Sequence, residues 1–199
     1  MKQYFLLDLD GTIADNGEGI LKSAQYALDA FGIHNQPEAK LRQFVGPPLD
    51  ESFRELYGFS QEQALEAVKK YRERYRVKGV YENKLYPGVA RLVKTLSQRG
   101  SVCLATSKPE VFARKILEMQ GILPDFQVVV GAELDGTRTN KAEVIQVVLE
   151  QLGAPPKSQA VMIGDRKHDI LGAKAVGLES IGVEYGFAPE GELQAAGAD

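Results

Sequence analysis

A short apolar run that ends in two aspartates constrains the fold of this chain more than any other feature. The run is YFLL at residues 4–7, and the motif DLDGT follows it at residues 8–12. A few apolar residues bounded by a turn are typical of a strand that is buried on both faces of a parallel sheet. Ligands of such a sheet bind at the carboxyl ends of its strands. The sequence therefore predicts an α/β fold with an acidic site directly after the first strand.

The two carboxylates of this motif are predicted to share one site. Asp8 and Asp10 are two residues apart, so their side chains lie on the same side of an extended chain. Carboxylates that close repel each other, and a hard divalent cation would keep both ionised, with Mg²⁺ as the expectation. Gly11 permits a tight turn, and the Thr12 hydroxyl can hold the acidic pair. For the motif taken alone, a strand that ends in an acidic turn stays open as the simpler interpretation.

A second predicted strand ends in hydroxyl side chains. The run VCLA at residues 102–105 predicts a short buried strand, and Thr106, Ser107 and Lys108 follow it. Pro109 suits the first turn of a helix that we expect over residues 110–120. A hydroxyl group and backbone donors would therefore lie at the end of this strand.

A lysine stands at the predicted start of a later helix. Residues 126–130 predict a strand, residues 131–139 a loop, and the sequence NKAE at residues 140–143 resembles a capping box. Lys141 would lie in the first helical turn, where the helix dipole is already positive, so a neighbouring anion would explain its position. A solvated surface lysine is the alternative.

Two further aspartates follow the last predicted strand. The strand covers residues 160–164, Asp165 comes directly after it, and Asp169 lies one turn into a helix that we expect to reach about residue 176. Carboxylates are favoured near a helix N-terminus, and these two can face the same crevice. Helix capping alone would account for one of them. The four strand ends together are far more specific than any one of them.

In this order the motifs resemble those of the haloacid dehalogenase superfamily, and in particular its phosphoglycolate phosphatase-like members with a helical cap. The resemblance extends over nearly the whole chain, including the segments 44–49 and 83–89. It implies a doubly wound parallel sheet with an inserted four-helix cap domain. The core would comprise residues 1–14 and 84–199, and the cap would comprise residues 15–83.

The resemblance also implies roles for individual residues. Asp8 would be the nucleophile that forms an aspartyl phosphate, and Asp10 would protonate the leaving alcohol and then activate water. The Mg²⁺ ligands would be Asp8, Asp10 through its backbone carbonyl, Asp165 and Asp169, the last of which could instead orient Lys141. The catalytic residues are thus expected to be Asp8, Asp10, Thr106 and Lys141, and the substrate contacts Gly11, Thr106, Ser107, Lys141 and Arg42.

The expected function is Mg²⁺-dependent hydrolysis of a small phosphomonoester, with phosphoglycolate as the leading substrate. Such an ester carries nearly two negative charges, so an anionic nucleophile needs cations and helix-end donors around the phosphate. Activity as a 5'-nucleotidase or pyrophosphatase stays open, as does a phosphomutase. A non-catalytic binding protein would be expected to lack at least one of the core residues, and none is missing from Asp8, Asp10, Lys141 and Asp165.

About 70 residues with helical periodicity separate the first strand from the second. They predict a separate layer over the strand ends that would exclude water and select the leaving group. Lys22 and Arg42 are the candidate specificity residues in this layer. The predicted helices cover residues 19–31, 38–44, 48–57 and 61–77.

The last of these helices contains a basic stretch at residues 69–78. On a helix Tyr71 and Tyr75 share one face, which predicts packed tyrosines and solvated arginines. A positive rim that attracts an anionic substrate is the alternative interpretation.

Composition bounds the remaining classes of function. A chain of 199 residues with 44% hydrophobic content can bury a core, and its net charge of −3 argues against general nucleic-acid binding. No apolar stretch approaches the roughly 20 residues that cross a bilayer. The single cysteine, Cys103, lies in an apolar strand and is expected to be a core residue. We therefore expect a cytoplasmic monomer or homodimer whose partner is a small phosphate ester, with neither nucleic acid nor membrane bound.

Overall fold

The computed structural model describes residues 1–199, which form two compact units. The first unit comprises residues 1–15 and 84–199, and the second comprises residues 16–83. The strands are β1 (Tyr4–Leu7), β2 (Ala14–Asp15), β3 (Lys84–Leu85), β4 (Ser101–Pro109), β5 (Val128–Ala132), β6 (Ala160–Gly164) and β7 (Glu179–Gly182). The helices are α1 (Gly17–Asp29), α2 (Glu38–Leu41), α3 (Leu49–Tyr57), α4 (Gln61–Val77), α5 (Val89–Ser97), α6 (Glu110–Met119), α7 (Lys141–Gln151), α8 (Lys167–Val176) and α9 (Glu192–Ala196).

Five parallel strands form the main sheet of the first unit, in the order β5-β4-β1-β6-β7. In the central strand, Leu6 pairs with Cys103 of β4 on one side and with Met162 of β6 on the other. After β1 the chain adds β4 and β5 on one side of it and then crosses over to add β6 and β7 on the other. The strand order therefore reverses at β1, and ligands of such sheets bind at the carboxyl end of the strands at this point. The predicted doubly wound α/β fold is confirmed.

Both faces of this sheet are buried. Leu6, Cys103 and Met162 belong to a core cluster that also contains residues of α7 and α8. Leu7 and Leu104 alternate with them along the strands and are buried as well, so they point to the opposite face. Burial on both faces explains why these strands read as continuous apolar runs, and Cys103 lies in the core as predicted.

Three strands of the sheet depart from the sequence prediction. β4 continues beyond the predicted residues 102–105 to Pro109, which ends the strand instead of lying in the first turn of α6. β5 covers Val128–Ala132 instead of residues 126–130, because Phe126 still closes the 3₁₀ turn Leu123–Asp125, with its N–H donating to the Leu123 carbonyl at 3.1 Å. The edge strand β7 was not predicted, since its sequence ESIG buries only alternate side chains and contains no apolar run.

The second unit is helical and consists of α1 to α4. The predicted helix over residues 38–44 is instead one α-helical turn, α2, which continues as a 3₁₀ turn, Arg42–Phe44. Aromatic rings fill the interior, with the ring centroid of Phe53 lying 4.8 Å from that of Phe44 and 5.8 Å from that of Phe59. None of the helices in either unit combines the length and apolar composition that a bilayer crossing requires.

The basic stretch of α4 is only partly as predicted. Tyr71 and Tyr75 are buried and stack with ring centroids 5.4 Å apart, in agreement with the expected amphipathic helix. The arginines were expected to be solvated, and for Arg74 this is wrong. Its side chain is 15% exposed, and its guanidinium donates two hydrogen bonds to the Glu82 carboxylate, at 2.8 and 2.9 Å. The carboxylate neutralises the charge, which allows the arginine to pack inward.

Candidate active site

Lys141 joins two of the predicted site residues. Its ammonium nitrogen lies 2.8 Å from Asp8 Oδ1 and 2.8 Å from Asp169 Oδ1, and it donates to the Ala105 carbonyl at 3.0 Å. All three charged side chains are buried. Burial would lower the pKa of Lys141, but the two carboxylates outweigh it, and the pKa is raised above its usual range. The anion that the sequence argument placed beside this lysine is therefore present.

The position of Lys141 follows from a simple helix cap. Asn140 Oδ1 accepts a hydrogen bond from Ala142 N at 2.9 Å and so starts α7 at Lys141. α7 packs on β4 and β5, which brings its first turn to the strand ends.

The Asp165 carboxylate is enclosed by Thr12, by the backbone at Phe187 and by two glycines, Gly11 and Gly186. It is fully buried, and its oxygens accept hydrogen bonds from Thr12 Oγ1 at 3.2 Å and from Phe187 N at 2.7 Å. A Cβ atom added to Gly11 or Gly186 would overlap the Asp165 carboxylate, so both positions require glycine. Burial and the neighbouring carboxylates raise the pKa of Asp165 to about 8.

The two carboxylate oxygens of Asp169 make different contacts. Its Oδ2 accepts a hydrogen bond from Arg166 N at 3.0 Å, which caps α8, while its Oδ1 faces Lys141. Burial raises its pKa, and the charge of Lys141 opposes that rise. Helix capping was the competing explanation for an aspartate here, and the side chain performs the capping and the ion pairing together.

Asp8, Asp165 and Asp169 form a group that fits a cation. Each offers a ligand atom, and these atoms all lie within 4.8 Å of one another. The donors are buried carboxylate oxygens, which hard divalent cations prefer. The net charge of the wider site also favours a bound cation. Four carboxyl groups and two lysines leave an excess of two negative charges when all of them are ionised. These residues are Asp8, Asp10, Asp165, Asp169, Lys108 and Lys141.

The Asp10 side chain is held by Lys108. The Lys108 ammonium nitrogen lies 3.0 Å from Asp10 Oδ1 and 2.9 Å from Oδ2, and both side chains are largely buried. Lys108 is not among the site residues predicted from the sequence. The signal was available, because Lys108 lies two residues after Thr106 in an extended segment and so points to the same side.

The other predicted substrate contacts of the first unit lie at the same strand ends. Thr106 is buried, and its Oγ1 accepts a hydrogen bond from Lys108 N at 3.3 Å, while Ser107 is half-buried. Gly11 has a φ of 86°, and its N–H donates to the Ala14 carbonyl at 2.9 Å. The tight turn that was expected after Asp10 is therefore formed.

Arg42 and Lys22 belong to the helical unit. Arg42 is exposed and pairs with Glu38, to which its Nε and Nη2 donate at 3.0 and 2.8 Å. Lys22 pairs with Glu18 and Glu82 of the same unit. Their contact with a substrate stays a prediction.

One residue that holds the site in place, Glu192, is not predicted from the sequence. Glu192 Oε1, on α9, accepts hydrogen bonds from Arg166 Nε at 2.8 Å and from Lys167 N at 3.0 Å. This carboxylate thereby ties α9 to the segment between Asp165 and Asp169. Nothing in the local sequence marks the contact, because it joins residues that are far apart in the chain.

Comparison with known proteins places these features in a wider group. A family model described as haloacid dehalogenase-like hydrolase matches residues 5–183. A 5'-nucleotidase of Pseudomonas aeruginosa is 48% identical over 191 residues, which cover 96% of this chain and 86% of that protein. The tyrosine-protein kinase PtkA of Mycobacterium tuberculosis is 40% identical over 187 residues, which cover 93% of this chain but 63% of the kinase. A phosphoglycolate phosphatase of Vibrio cholerae is 32% identical over 191 residues, which cover 90% of this chain and 83% of that protein.

Comparison with a solved structure shows that the fold is shared as well as the sequence. The crystal structure described as a predicted phosphatase from Clostridium acetobutylicum matches with a TM-score of 0.96 at 43% sequence identity. The match covers 100% of this chain and 92% of that one. The similarity therefore includes the sheet unit and the helical unit alike.

Proposed function

The chain belongs to the haloacid dehalogenase-like hydrolase family of enzymes, and on this premise we propose that it hydrolyses a small phosphomonoester by way of an aspartyl phosphate on Asp8. The observation that carries the proposal is the position of Lys141, 2.8 Å from both Asp8 and Asp169 beside a group of three buried carboxylates. A buried carboxylate held by a fixed cation is a suitable acceptor for a phosphoryl group.

Nucleoside 5'-monophosphates are the proposed substrate class. The support is the 5'-nucleotidase of P. aeruginosa, which shares 48% of aligned residues against 32% for the phosphoglycolate phosphatase of V. cholerae. We therefore place nucleotides ahead of phosphoglycolate, which led the expectation from the motifs. Phosphoglycolate and pyrophosphate are the comparison substrates.

In the first step an Asp8 carboxylate oxygen would attack phosphorus while the bond from phosphorus to the ester oxygen breaks. Asp10 would give a proton to that oxygen, so that the nucleoside leaves as a neutral alcohol. Lys141, the Thr106 hydroxyl and the backbone N–H of Ser107 would hold the phosphoryl oxygens, while the Gly11 N–H is engaged by the Ala14 carbonyl. These donors are in place before the reaction, because the strand ends fix them.

In the second step water would attack the phosphorus of the aspartyl phosphate. Asp10, now deprotonated, would take a proton from that water, and the bond between phosphorus and the Asp8 oxygen would break. The products are inorganic phosphate and the restored Asp8 carboxylate. The same side chain thus serves as acid and then as base, which returns the enzyme to its starting protonation state.

Asp8, Asp165 and Asp169, with the Asp10 backbone carbonyl, would hold Mg²⁺. When bound, the cation supplies charge neutralisation that lets an anionic nucleophile approach an anionic ester. The buried oxygen donors and the charge excess of the site support this choice.

Phosphate release from a panel of esters tests the proposal. The panel contains nucleoside 5'-monophosphates, phosphoglycolate, pyrophosphate and sugar phosphates, each measured with Mg²⁺ and with a chelator. We expect turnover that requires Mg²⁺ and that is fastest with a nucleotide. Faster turnover of phosphoglycolate would overturn the substrate assignment alone. Absence of turnover with every ester in Mg²⁺ would overturn the proposed function.

A further inference from the structure

We propose that Lys108 is a positioning residue that fixes the orientation of the Asp10 carboxyl group for proton transfer to the leaving oxygen. The inference rests on the proposed function and adds to it a residue that the expected set of site residues did not include. It is drawn from the contacts of the lysine, from its burial and from the way its backbone is held.

The contact engages both oxygens of the carboxyl group. Lys108 Nζ lies 3.0 Å from Asp10 Oδ1 and 2.9 Å from Oδ2. A charged donor shared by two oxygens restrains rotation of the ionised group about its terminal bond, and after protonation the ammonium can still donate to the remaining carbonyl oxygen. Asp10 lies in the segment after β1 and Lys108 at the end of β4, so this restraint joins two separate parts of the chain.

Burial distinguishes this ion pair from those on the surface. The Lys108 side chain is 5% exposed and that of Asp10 is 13% exposed. Exposed pairs are screened by water and contribute little, whereas a buried pair holds its geometry because neither charge can be solvated separately. Lys94 and Asp125 provide the contrast, with an Nζ–Oδ1 distance of 3.0 Å and a lysine side chain that is 64% exposed.

The backbone of Lys108 is fixed from two sides. β4 changes register against β5 between Ala105 and Pro109, and within this irregular segment Lys108 N donates to Thr106 Oγ1 at 3.3 Å. Gly131 of β5 lies so close that a Cβ atom there would overlap the Lys108 carbonyl oxygen. The lysine therefore projects from a rigid base, as a residue that orients another group requires.

Leaving groups of different acidity separate positioning from other roles. A nitrophenolate departs without a proton, whereas the alkoxide of a nucleoside needs one. If Lys108 acts through Asp10, its loss should slow the first step, formation of the aspartyl phosphate, only for the ester whose leaving oxygen requires that proton. If Lys108 instead bound the phosphate, its loss should weaken the hydrolysis of every ester and the inhibition by inorganic phosphate.

The experiment compares the wild type with Lys108→Gln and Lys108→Arg, and with Lys94→Gln as the matched control. The rates are single-turnover rate constants for release of 4-nitrophenolate from 4-nitrophenyl phosphate and of nucleoside from a nucleoside 5'-monophosphate, measured with enzyme in excess so that they report the first step alone. Inhibition by inorganic phosphate is measured alongside.

For Lys108→Gln we expect a loss of about 100-fold in the single-turnover rate on the nucleotide, typical of a misplaced reacting group, and little change in that rate on the aryl ester. Inhibition by phosphate should stay as in the wild type. Lys108→Arg should recover most of the loss, because a guanidinium can also contact both carboxyl oxygens, and Lys94→Gln should behave as the wild type.

An equal loss on both esters, or weaker inhibition by phosphate, would overturn the positioning role. An unchanged nucleotide rate in Lys108→Gln would overturn it as well. A wild type that hydrolyses neither ester would instead refute the proposed function, so the two failures are distinguishable.

Discussion

Lys141 Nζ lies 2.8 Å from Asp8 Oδ1, although 133 residues separate the two along the chain. The sheet order explains the contact, because β1 is central and α7 packs on the neighbouring β4. The proposed nucleophile therefore meets its counter-charge only in the folded protein. Replacement of Lys141 would leave two buried carboxylates without this cation, which is a costly state, whereas replacement of Asp8 leaves Lys141 paired with Asp169.

Asp8→Asn is expected to abolish turnover and to leave the fold intact. An amide has the shape of the carboxyl group and can still accept a hydrogen bond from Lys141, but it cannot accept a phosphoryl group. We expect a loss of more than about 1,000-fold in kcat, as is typical when a nucleophile is removed. Initial rates in Mg²⁺ together with thermal unfolding check this prediction.

The same change at Asp125 provides the control for Asp8→Asn. Asp125 pairs with the exposed Lys94 near the start of β5 and has no part in the proposed chemistry. Retention of one tenth of the wild-type activity by Asp8→Asn would refute the assignment of the nucleophile.

Asp165→Asn is expected to remove stabilisation by Mg²⁺. A cation that binds only the folded state stabilises it by about 2.7 kcal/mol at a concentration of 100 times Kd. The wild type should therefore unfold at a higher temperature in Mg²⁺ than in a chelator, and the variant should show no such difference. In the chelator the variant should be at least as stable as the wild type, because one of several close carboxylates is gone.

Calorimetry in the two solutions measures both effects of Asp165→Asn. Equal stabilisation of the variant and the wild type by Mg²⁺ would show that Asp165 is no ligand.

Glu192→Ala is expected to weaken activation by Mg²⁺ about 10-fold. Glu192 holds Arg166 and the backbone of Lys167, and residues that orient metal ligands contribute factors of this size. The activity is measured as a function of Mg²⁺ concentration. Gln194→Ala on the same helix is the control, since its amide bonds only to Glu184. An unchanged Mg²⁺ dependence in Glu192→Ala would mean that α9 has no influence on the site.

Glu82→Gln is expected to destabilise the helical unit in a pH-dependent manner. The hydrogen bonds from Arg74 hold the pKa of Glu82 below its ordinary value of 4.5. Because the pKa of Glu82 is lower in the folded state than in the unfolded state, its carboxylate stabilises the fold above pH 4.5. This stabilisation is lost as the pH falls through the pKa that Glu82 has in the folded state. We expect a loss of about 1 kcal/mol at pH 7, a modest value because the pair is partly exposed.

Urea unfolding at pH 7 and at pH 3 measures the effect of Glu82→Gln. The control is Glu66→Gln, which removes a carboxylate from an exposed ion pair on α4, the helix that carries Arg74. A destabilisation that persists unchanged at pH 3 would contradict an origin in the charge of Glu82.

The strand ends of the main sheet could be predicted because each carries a local signal. The apolar runs before Asp8, Thr106 and Asp165 are buried on both sides, so every residue in them had to be apolar. Lys141 was found because a lysine at a helix N-terminus is electrostatically unfavourable without an anion. These residues lie at one edge of one sheet, as the motifs implied.

The parts that could not be predicted depend on contacts between distant segments. The hydrogen bonds of Glu192 to Arg166 and Lys167 join α9 to α8, and neither segment alone reveals them. Arg74 was expected in solvent because helical periodicity describes one helix, whereas its partner Glu82 lies beyond the end of α4. Only alternate residues of the edge strand β7 are buried, so its sequence contains no apolar run and resembles that of a loop.

The short β2–β3 pair has a consequence for the evolution of this chain. Ala14 lies opposite Leu85 and Asp15 opposite Lys84, so residues 16–83 begin and end at adjacent points. A segment with neighbouring ends can be exchanged for another of different length without altering the register of the strands that carry the carboxylates. Recombination at the β2–β3 pair would therefore replace residues 16–83 and leave the carboxylates at the strand ends in place.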